Sequence, residues 1–288
     1  MITVRTLKVL ISILVIFATG ALPNINWDPN IYLTHNFDYL YTFDRTDYYP
    51  QEKLINANIN LAVIHTIKLE EGANHYNILT LPVEIGMPLT HSFYISGILP
   101  IIYDDIIKDI FPYQGYSSLG LTSPWLKFKL LFGLGNNFSG GLRCGFRIPI
   151  GTERYKIYPI AYDICYLTHI GYDLPAQTSI QFGLRYESKY KNIQAPSFLY
   201  VIIREVIPTG QRFKPFGCFG LTYPINRFKS GIDEMEALKD IWLGGGFYFV
   251  VTENTLLQSQ FNYRLSEEGF NQGNNILLVF GISTYVYF

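Results

Sequence analysis

Four cations stand at alternate positions of two neighbouring segments. Lys127 and Lys129 lie in Leu126-Lys127-Phe128-Lys129-Leu130, and Arg143 and Arg147 lie in Leu142-Arg143-Cys144-Gly145-Phe146-Arg147. In a strand, side chains alternate between faces, so the charges would gather on one side and Leu, Phe and Cys on the other. Lys68, Arg185 and Arg264 repeat the pattern, with Glu84, Glu187 and Asp163 as counter-charges. This spacing builds no nucleophile with its base. Like charges facing a water-filled passage instead bias which ions enter, within a Debye length of about 8 to 10 Å at ordinary salt. Positive charge exceeds negative, which predicts a mild anion preference with Lys127, Lys129, Arg143 and Arg147 as the selectivity patch. Pairing with Glu84, Asp163 and Glu187, so that the charges merely fill the interior, is the alternative.

The elements that would position these residues share a period of two. From Leu54 to Leu69 one face reads Ile55, Ala57, Ile59, Leu61, Val63, His65, Ile67 and Leu69, against Asn56, Asn58, Asn60, Thr66 and Lys68. Leu79, Leu81, Val83 and Ile85 oppose Glu84, and Phe93, Ile95, Leu99 and Ile101 form another apolar row. Ile180, Phe182, Leu184 and Tyr186 oppose Gln181, Arg185 and Glu187. Leu257, Phe261, Tyr263 and Leu265 oppose Gln258, Gln260, Asn262 and Arg264. No charge falls on the apolar face of these segments. Turn-forming clusters such as Glu71-Gly72-Ala73-Asn74, Gly133-Leu134-Gly135-Asn136-Asn137 and Pro208-Thr209-Gly210 separate them, the rhythm of successive hairpins.

Composition says which surroundings suit such strands. Of 288 residues, 49% are hydrophobic and only 16% charged, too few charges for a soluble surface and acceptable for an outer band in lipid. Net charge is -1 without a basic run, so nucleic acid is excluded as a partner. Residues 1–21 read as a cleaved signal peptide: Arg5 and Lys8, an apolar run over Val9–Phe17, then Ala18, Thr19, Gly20 and Ala21. No later stretch is long and apolar enough for a spanning helix, and only helices and closed barrels satisfy every backbone group in lipid. The expectation is an all-β fold, a transmembrane antiparallel up-and-down β-barrel of about 12 strands, or 14 if residues 22–51 supply two more. That segment, with Trp27, Tyr32, Tyr39, Tyr41 and Phe43, otherwise forms a plug or periplasmic arm, and residues 52–288 form the barrel.

Counting back by twos from Phe288 gives Val286, Thr284, Ile282, Phe280, Leu278 and Ile276, a continuous apolar row closed by an aromatic residue. It resembles the terminal signal by which outer-membrane barrels are recognised by their assembly machinery, which makes Phe280, Ile282, Thr284, Val286 and Phe288 the expected assembly residues. Ser118-Leu119-Gly120-Leu121-Thr122-Ser123-Pro124-Trp125-Leu126-Lys127-Phe128-Lys129, with Gly141 to Glu153 and Gly86-Met87-Pro88-Leu89-Thr90, resembles the outer-membrane barrels of the MetA-pathway phenol-degradation family. No Asp follows Gly120 here, and Pro149-Ile150-Gly151-Thr152 stands where that family has a Pro-Thr-Gly ending. The resemblance implies an outer-membrane barrel far more than any phenol-related substrate, and the expected function is a channel for passive diffusion or uptake of small hydrophobic or anionic solutes.

With Phe288 at the periplasmic end, Ile102–Gly120, Pro224–Asp240 and Ser266–Asn274 would be long outer loops, and Pro88–His91, Gly133–Asn137 and Thr252–Thr255 short periplasmic turns. No catalytic, cofactor or metal site is expected. The His-x-Ser-Asn-Gly pattern of barrel phospholipases is absent, and His91-Ser92 would sit at a periplasmic turn. A hydrolase, an adhesin or a purely structural barrel are the rival readings. Asp104, Asp105 and Asp109 lack a calcium-loop spacing and are expected in a solvated loop. His65 is expected near a membrane interface, Gly244-Gly245-Gly246 at a bend or close packing, and Cys144, Cys165 and Cys218 as small apolar residues. The expected partners are outer-membrane lipid, the barrel-assembly machinery and a small solute.

Overall fold

The computed structural model describes residues 57–69, 74–90, 92–108, 114–135, 138–152, 160–170, 176–190, 193–207, 212–230, 233–235, 237, 239–252, 255–266 and 274–286. Every regular element among them is a strand. The wall contains β1 (Ala57–Leu69), β2 (Asn74–Pro88), β3 (Phe93–Lys108), β5 (Trp125–Gly135), β6 (Phe138–Arg147) and β7 (Ala161–Ile170). It continues through β8 (Gln177–Glu187), β10 (Phe198–Val206), β11 (Phe213–Pro224), β14 (Asp240–Thr252), β15 (Thr255–Ser266) and β16 (Asn274–Val286). In addition, β4 (Gln114–Leu121) pairs with the later half of β3, while β9 (Ile193–Gln194), β12 (Phe228–Ser230) and β13 (Asp233–Met235) make a small separate sheet.

Each wall strand pairs antiparallel with its sequence neighbour in the wall, and β2 pairs with β3 along its whole length. The last strand, β16, pairs with β1 from Ala57↔Val286 to Leu69↔Asn274. The sheet therefore closes on itself as a ring of twelve strands, and none of the twelve is left as an edge. The expected antiparallel up-and-down barrel is what the chain forms, with twelve strands before any contribution from residues 22–51, which lie outside the described residues.

The closed ring sorts side chains as the alternation demands. Phe182 is 53%, Leu243 52% and Leu142 45% exposed, whereas Arg143 is 0%, Arg185 1% and Lys127 1% exposed. A protein in water places these classes the other way round. On the outer face, Phe93, Phe128, Phe146, Tyr162 and Tyr186 form a chain of ring contacts across five strands, with successive centroids 6.2, 6.1, 5.6 and 6.4 Å apart. In β10 the outward row Leu199, Val201 and Ile203 ends on an exposed Glu205, close to the turn that follows.

Connections at 89–92, 136–137, 171–176, 207–212 and 253–254 share one end of the barrel with Ala57 and Val286, and the longer ones lie opposite. Two of the expected long loops are corrected. Strand β3 runs on to Lys108 and pairs with β4 as far as Lys108↔Gln114, so most of Ile102–Gly120 is hairpin rather than loop. Asp104 and Asp105 accordingly belong to a strand. Within Pro224–Asp240, β12 pairs with β13 and β9. The sequence shows no clean alternation in either place, because Asp104-Asp105 interrupts the first and β12 and β13 are only three residues each.

Closure and an apolar exterior predict that the folded chain resists detergent. On unboiled gels it is expected to migrate apart from the boiled form, and purification as a soluble monomer without detergent would refute membrane embedding.

Candidate functional site: the charged interior

The inward positions of β5 and β6 carry Lys127, Lys129, Arg143 and Arg147, all buried, as the alternation requires. Lys127 and Arg147 find their partners across an intervening strand. Lys127 Nζ lies 2.7 Å from Glu84 Oε1 on β2, reaching past Ser96 of β3, and Ser96 Oγ donates to the same oxygen at 2.7 Å. Arg147 reaches past the small Ala161 of β7 to Glu187 on β8. Its Nη2 donates to Oε2 at 2.6 Å and its Nη1 to Oε1 at 3.3 Å. A small residue on the intervening strand makes each span possible.

Arg143 and Asp163 form the centre of a third cluster. Arg143 Nε and Nη2 donate to Asp163 Oδ2 at 3.1 and 3.0 Å. Tyr200 on β10 closes it, donating from its hydroxyl to Asp163 Oδ1 at 2.8 Å and accepting from Arg143 Nη2 at 2.8 Å. The Tyr200 ring lies over Gly183, its direct partner on β8, where an added Cβ would overlap the ring. Gly183→Ala is therefore expected to push Tyr200 aside and strip a buried carboxylate of one donor, at about 1 to 3 kcal/mol. Denaturant unfolding in micelles checks this against Gly217→Ala, where a Cβ meets nothing within 4 Å and no loss is expected.

Arg185 stacks on Trp125, its guanidinium carbon 4.6 Å from the ring centroid, with that of Arg147 at 5.8 Å from the same ring. Further round, Arg204 Nη1 donates to Tyr248 OH at 3.0 Å, and the guanidinium lies 5.2 Å from the Phe216 centroid. The described inward side chains of β15 are neutral. Along β15, Gln258 Nε2 donates to Gln260 Oε1 at 2.7 Å and Gln260 Nε2 to Asn262 Oδ1 at 2.8 Å, an amide ladder at every second residue. Gly244 and Gly246 of β14 pack closely enough against Asn262 and Gln260 that a Cβ would collide with them, which is the close-packing role expected for the glycine run.

Of the residues expected to line the interior, Glu84, Lys127, Lys129, Arg143, Arg147, Asp163, Arg185 and Glu187 do so. The side chains of Lys68 and Arg264 lie outside the described ones. So do those of Thr284, Val286, His65, Asp104 and Asp105, and His91, Asp109 and Phe288 lie wholly outside the described residues. Phe280 and Ile282 face outward. The two readings of the cations meet here, because three of the four in the patch pair with Glu84, Asp163 and Glu187. Sequence reasoning missed Arg204, Tyr200, Tyr248 and Asp240. Strand β10 has apolar residues on both faces, Phe198 and Ile202 inside and Leu199 and Ile203 outside, so it shows no period of two. Its one legible signal was Arg204 flanked by Ile203 and Glu205.

None of the three cysteines forms a disulfide, and Cys165 and Cys218 are buried. Among the described residues no cluster of His, Cys, Asp and Glu is arranged to hold a metal ion.

A closed antiparallel ring with charge and amide groups inside and bare Leu, Phe and Tyr outside defines an outer-membrane type of β-barrel fold. The COG4313 outer membrane channel from Pseudomonas putida F1 has this fold, with a TM-score of 0.62 and 12% identity over 83% of this chain and 97% of that one. The transport unit of the autotransporter AIDA-I from Escherichia coli follows with a TM-score of 0.53 and 10% identity over 91% and 99%. The CymD monoaromatic hydrocarbon channel has a TM-score of 0.50 and 7% identity over 83% and 90%. At such identities the likeness is one of architecture. No protein-family model and no curated protein sequence matches the chain.

Proposed function

We propose that the protein is an outer-membrane channel for small solutes in a Gram-negative-type bacterium, exported by a cleaved signal peptide, and that its wall favours anions. The observation that carries this is the charge sorting of the barrel. Among the described buried residues six cations, Lys127, Lys129, Arg143, Arg147, Arg185 and Arg204, stand against four carboxylates, Glu84, Asp163, Glu187 and Asp240. Apolar walls cannot hydrate a passing ion, so fixed charges and aligned amides are what would replace its water. The channel names of two architectural neighbours support the reading, and the resemblance of residues 118–153 to the phenol-degradation family supports the barrel rather than a particular solute. Among the described residues the interior contacts join cations, carboxylates, amides and phenols, and the channel names of the neighbours favour a channel over a barrel hydrolase.

Planar-bilayer recording in a potassium chloride gradient tests it. The reversal potential is expected on the anion side, and Lys129→Gln with Arg204→Gln is expected to move it toward cations. A cation-selective parent, or a parent that never conducts, would sink the reading.

A further inference from the structure

The outward rows of the wall do not all end alike. From Phe213 at the start of β11 to Ile225 just past its end, every outward position is uncharged, and Tyr223 and Ile225 are 61% and 54% exposed. That stretch covers roughly 41 Å along the strand at about 3.4 Å per residue. At the usual tilt of about 40° it rises roughly 30 Å, slightly more than an apolar band of about 25 Å. The chain therefore leaves hydrocarbon near Tyr223 and Ile225. The next two exposed side chains are Arg227 and Lys229, at 61% and 50%, and Phe228 between them is buried in the inner apolar cluster.

Neighbouring strands on this flank end in the same way. Ile225 N donates to Ser197 O at 2.8 Å and Lys229 then pairs with Gln194, so β9 and β12 prolong the β10–β11 ladder out of the wall. Beside it, Lys239 is exposed one position beyond the Thr222↔Asp240 pair, on the face of Ile241 and Leu243. Lys189 is exposed three residues past Tyr186 of β8. The same end of β6 and β7 finishes instead on Phe146, Ile160 and Tyr162, with no outward cation among the described residues. Against these four cations the described outward side chains of the flank offer one carboxylate, Glu234, shared between Arg227 at 3.6 Å and Lys229 at 3.4 Å. Exposed pairs of this kind are weak, so a stronger anion can take both cations over.

We propose that this flank is a docking surface for a phosphorylated lipid of the outer leaflet, its acyl chains along Tyr223 and Ile225 and its phosphates on Arg227, Lys229 and Lys239. The planar guanidinium of Arg227 suits two phosphate oxygens at once, and the lysines add point charges. The cations begin where the apolar row stops, so a lipid is held by both parts of the surface and a free anion by only one. The surface rests on the membrane-spanning barrel and not on conduction, so it stands or falls apart from the channel reading.

Native mass spectrometry of the full chain in detergent micelles tests the surface. Bisphosphorylated lipid A is titrated against phosphatidylcholine, with EDTA present to remove bridging divalent ions. Lipid A adducts are expected at concentrations where phosphatidylcholine gives few. Arg227→Gln with Lys229→Gln is expected to weaken lipid A binding on the order of tenfold with the gel shift retained. Glu234→Gln should strengthen it several-fold, because it removes the carboxylate that competes for the same cations. Arg212→Gln, which removes an exposed cation at the tight-turn end, should change nothing. Equal binding of the two lipids, or an unchanged affinity in the double variant, overturns the surface. Displacement of lipid A by an equal concentration of inorganic phosphate would also overturn it, since it would show a free-anion site. If the double variant loses its gel shift, Glu234→Gln carries the test, and lipid A binding that this variant leaves unchanged or weakens overturns the surface.

Discussion

Phe182→Arg is expected to destabilise the barrel by about 2 to 4 kcal/mol, the cost of a guanidinium at mid-depth on a lipid-facing strand. Phe182 sits midway along β8, opposite Tyr166 of β7 and Val201 of β10, and its side chain is 53% exposed. The same substitution on a protein in water would fall within about 0.5 kcal/mol, because an exposed site loses little by gaining charge. The two environments therefore give answers far enough apart to separate. Phe182→Leu keeps the site apolar and should change stability little. Urea unfolding from phospholipid vesicles, followed by gel mobility, measures all three proteins, and a near-neutral Phe182→Arg would mean that β8 does not face lipid.

Arg143→Met is expected to cost about 3 to 5 kcal/mol, because it leaves a buried carboxylate without its principal counter-charge. The Arg143 and Asp163 side chains are both 0% exposed, and the pair is held at 3.0 Å with Tyr200 on both partners. Asp163→Leu alone should also be strongly destabilising, since it isolates the guanidinium. The double variant removes both charges and is expected to recover most of the loss, as apolar replacements of buried pairs commonly do. Single costs that simply add in the double variant would show that the two residues do not act as a pair, which a double-mutant cycle reads directly.

Much of the wall is legible in the sequence. Wherever one face of a strand is lipid-facing and the other polar, the period of two survives in the residues themselves, as in Leu126–Leu130, Phe138–Arg147 and Ile180–Glu187. The same alternation placed Lys127, Arg143 and Arg185 inside. It failed at β10, where Ile202 and Phe198 face inward beside Tyr200 and Arg204, because an interior apolar residue looks the same in sequence as a lipid-facing one. It failed also at β4 and at the β12–β13 hairpin. There the strands pair as local hairpins, closing at Lys108↔Gln114 and Ser230↔Asp233, but their residues carry no clean alternation to announce it.

The residues alone determined that this chain must alternate, must keep charge off one face and must close on itself if it enters lipid, since unpaired backbone cannot remain there. Which cation meets which carboxylate was decided only by the tertiary structure. Lys127 meets Glu84 by spanning β3, Arg147 meets Glu187 by spanning β7, and Tyr200 crosses Gly183 to reach Asp163. Those contacts depend on strand register and on a small side chain at the crossing point. Alternation assigns a face to each residue, whereas register and ring closure choose its neighbours two strands away.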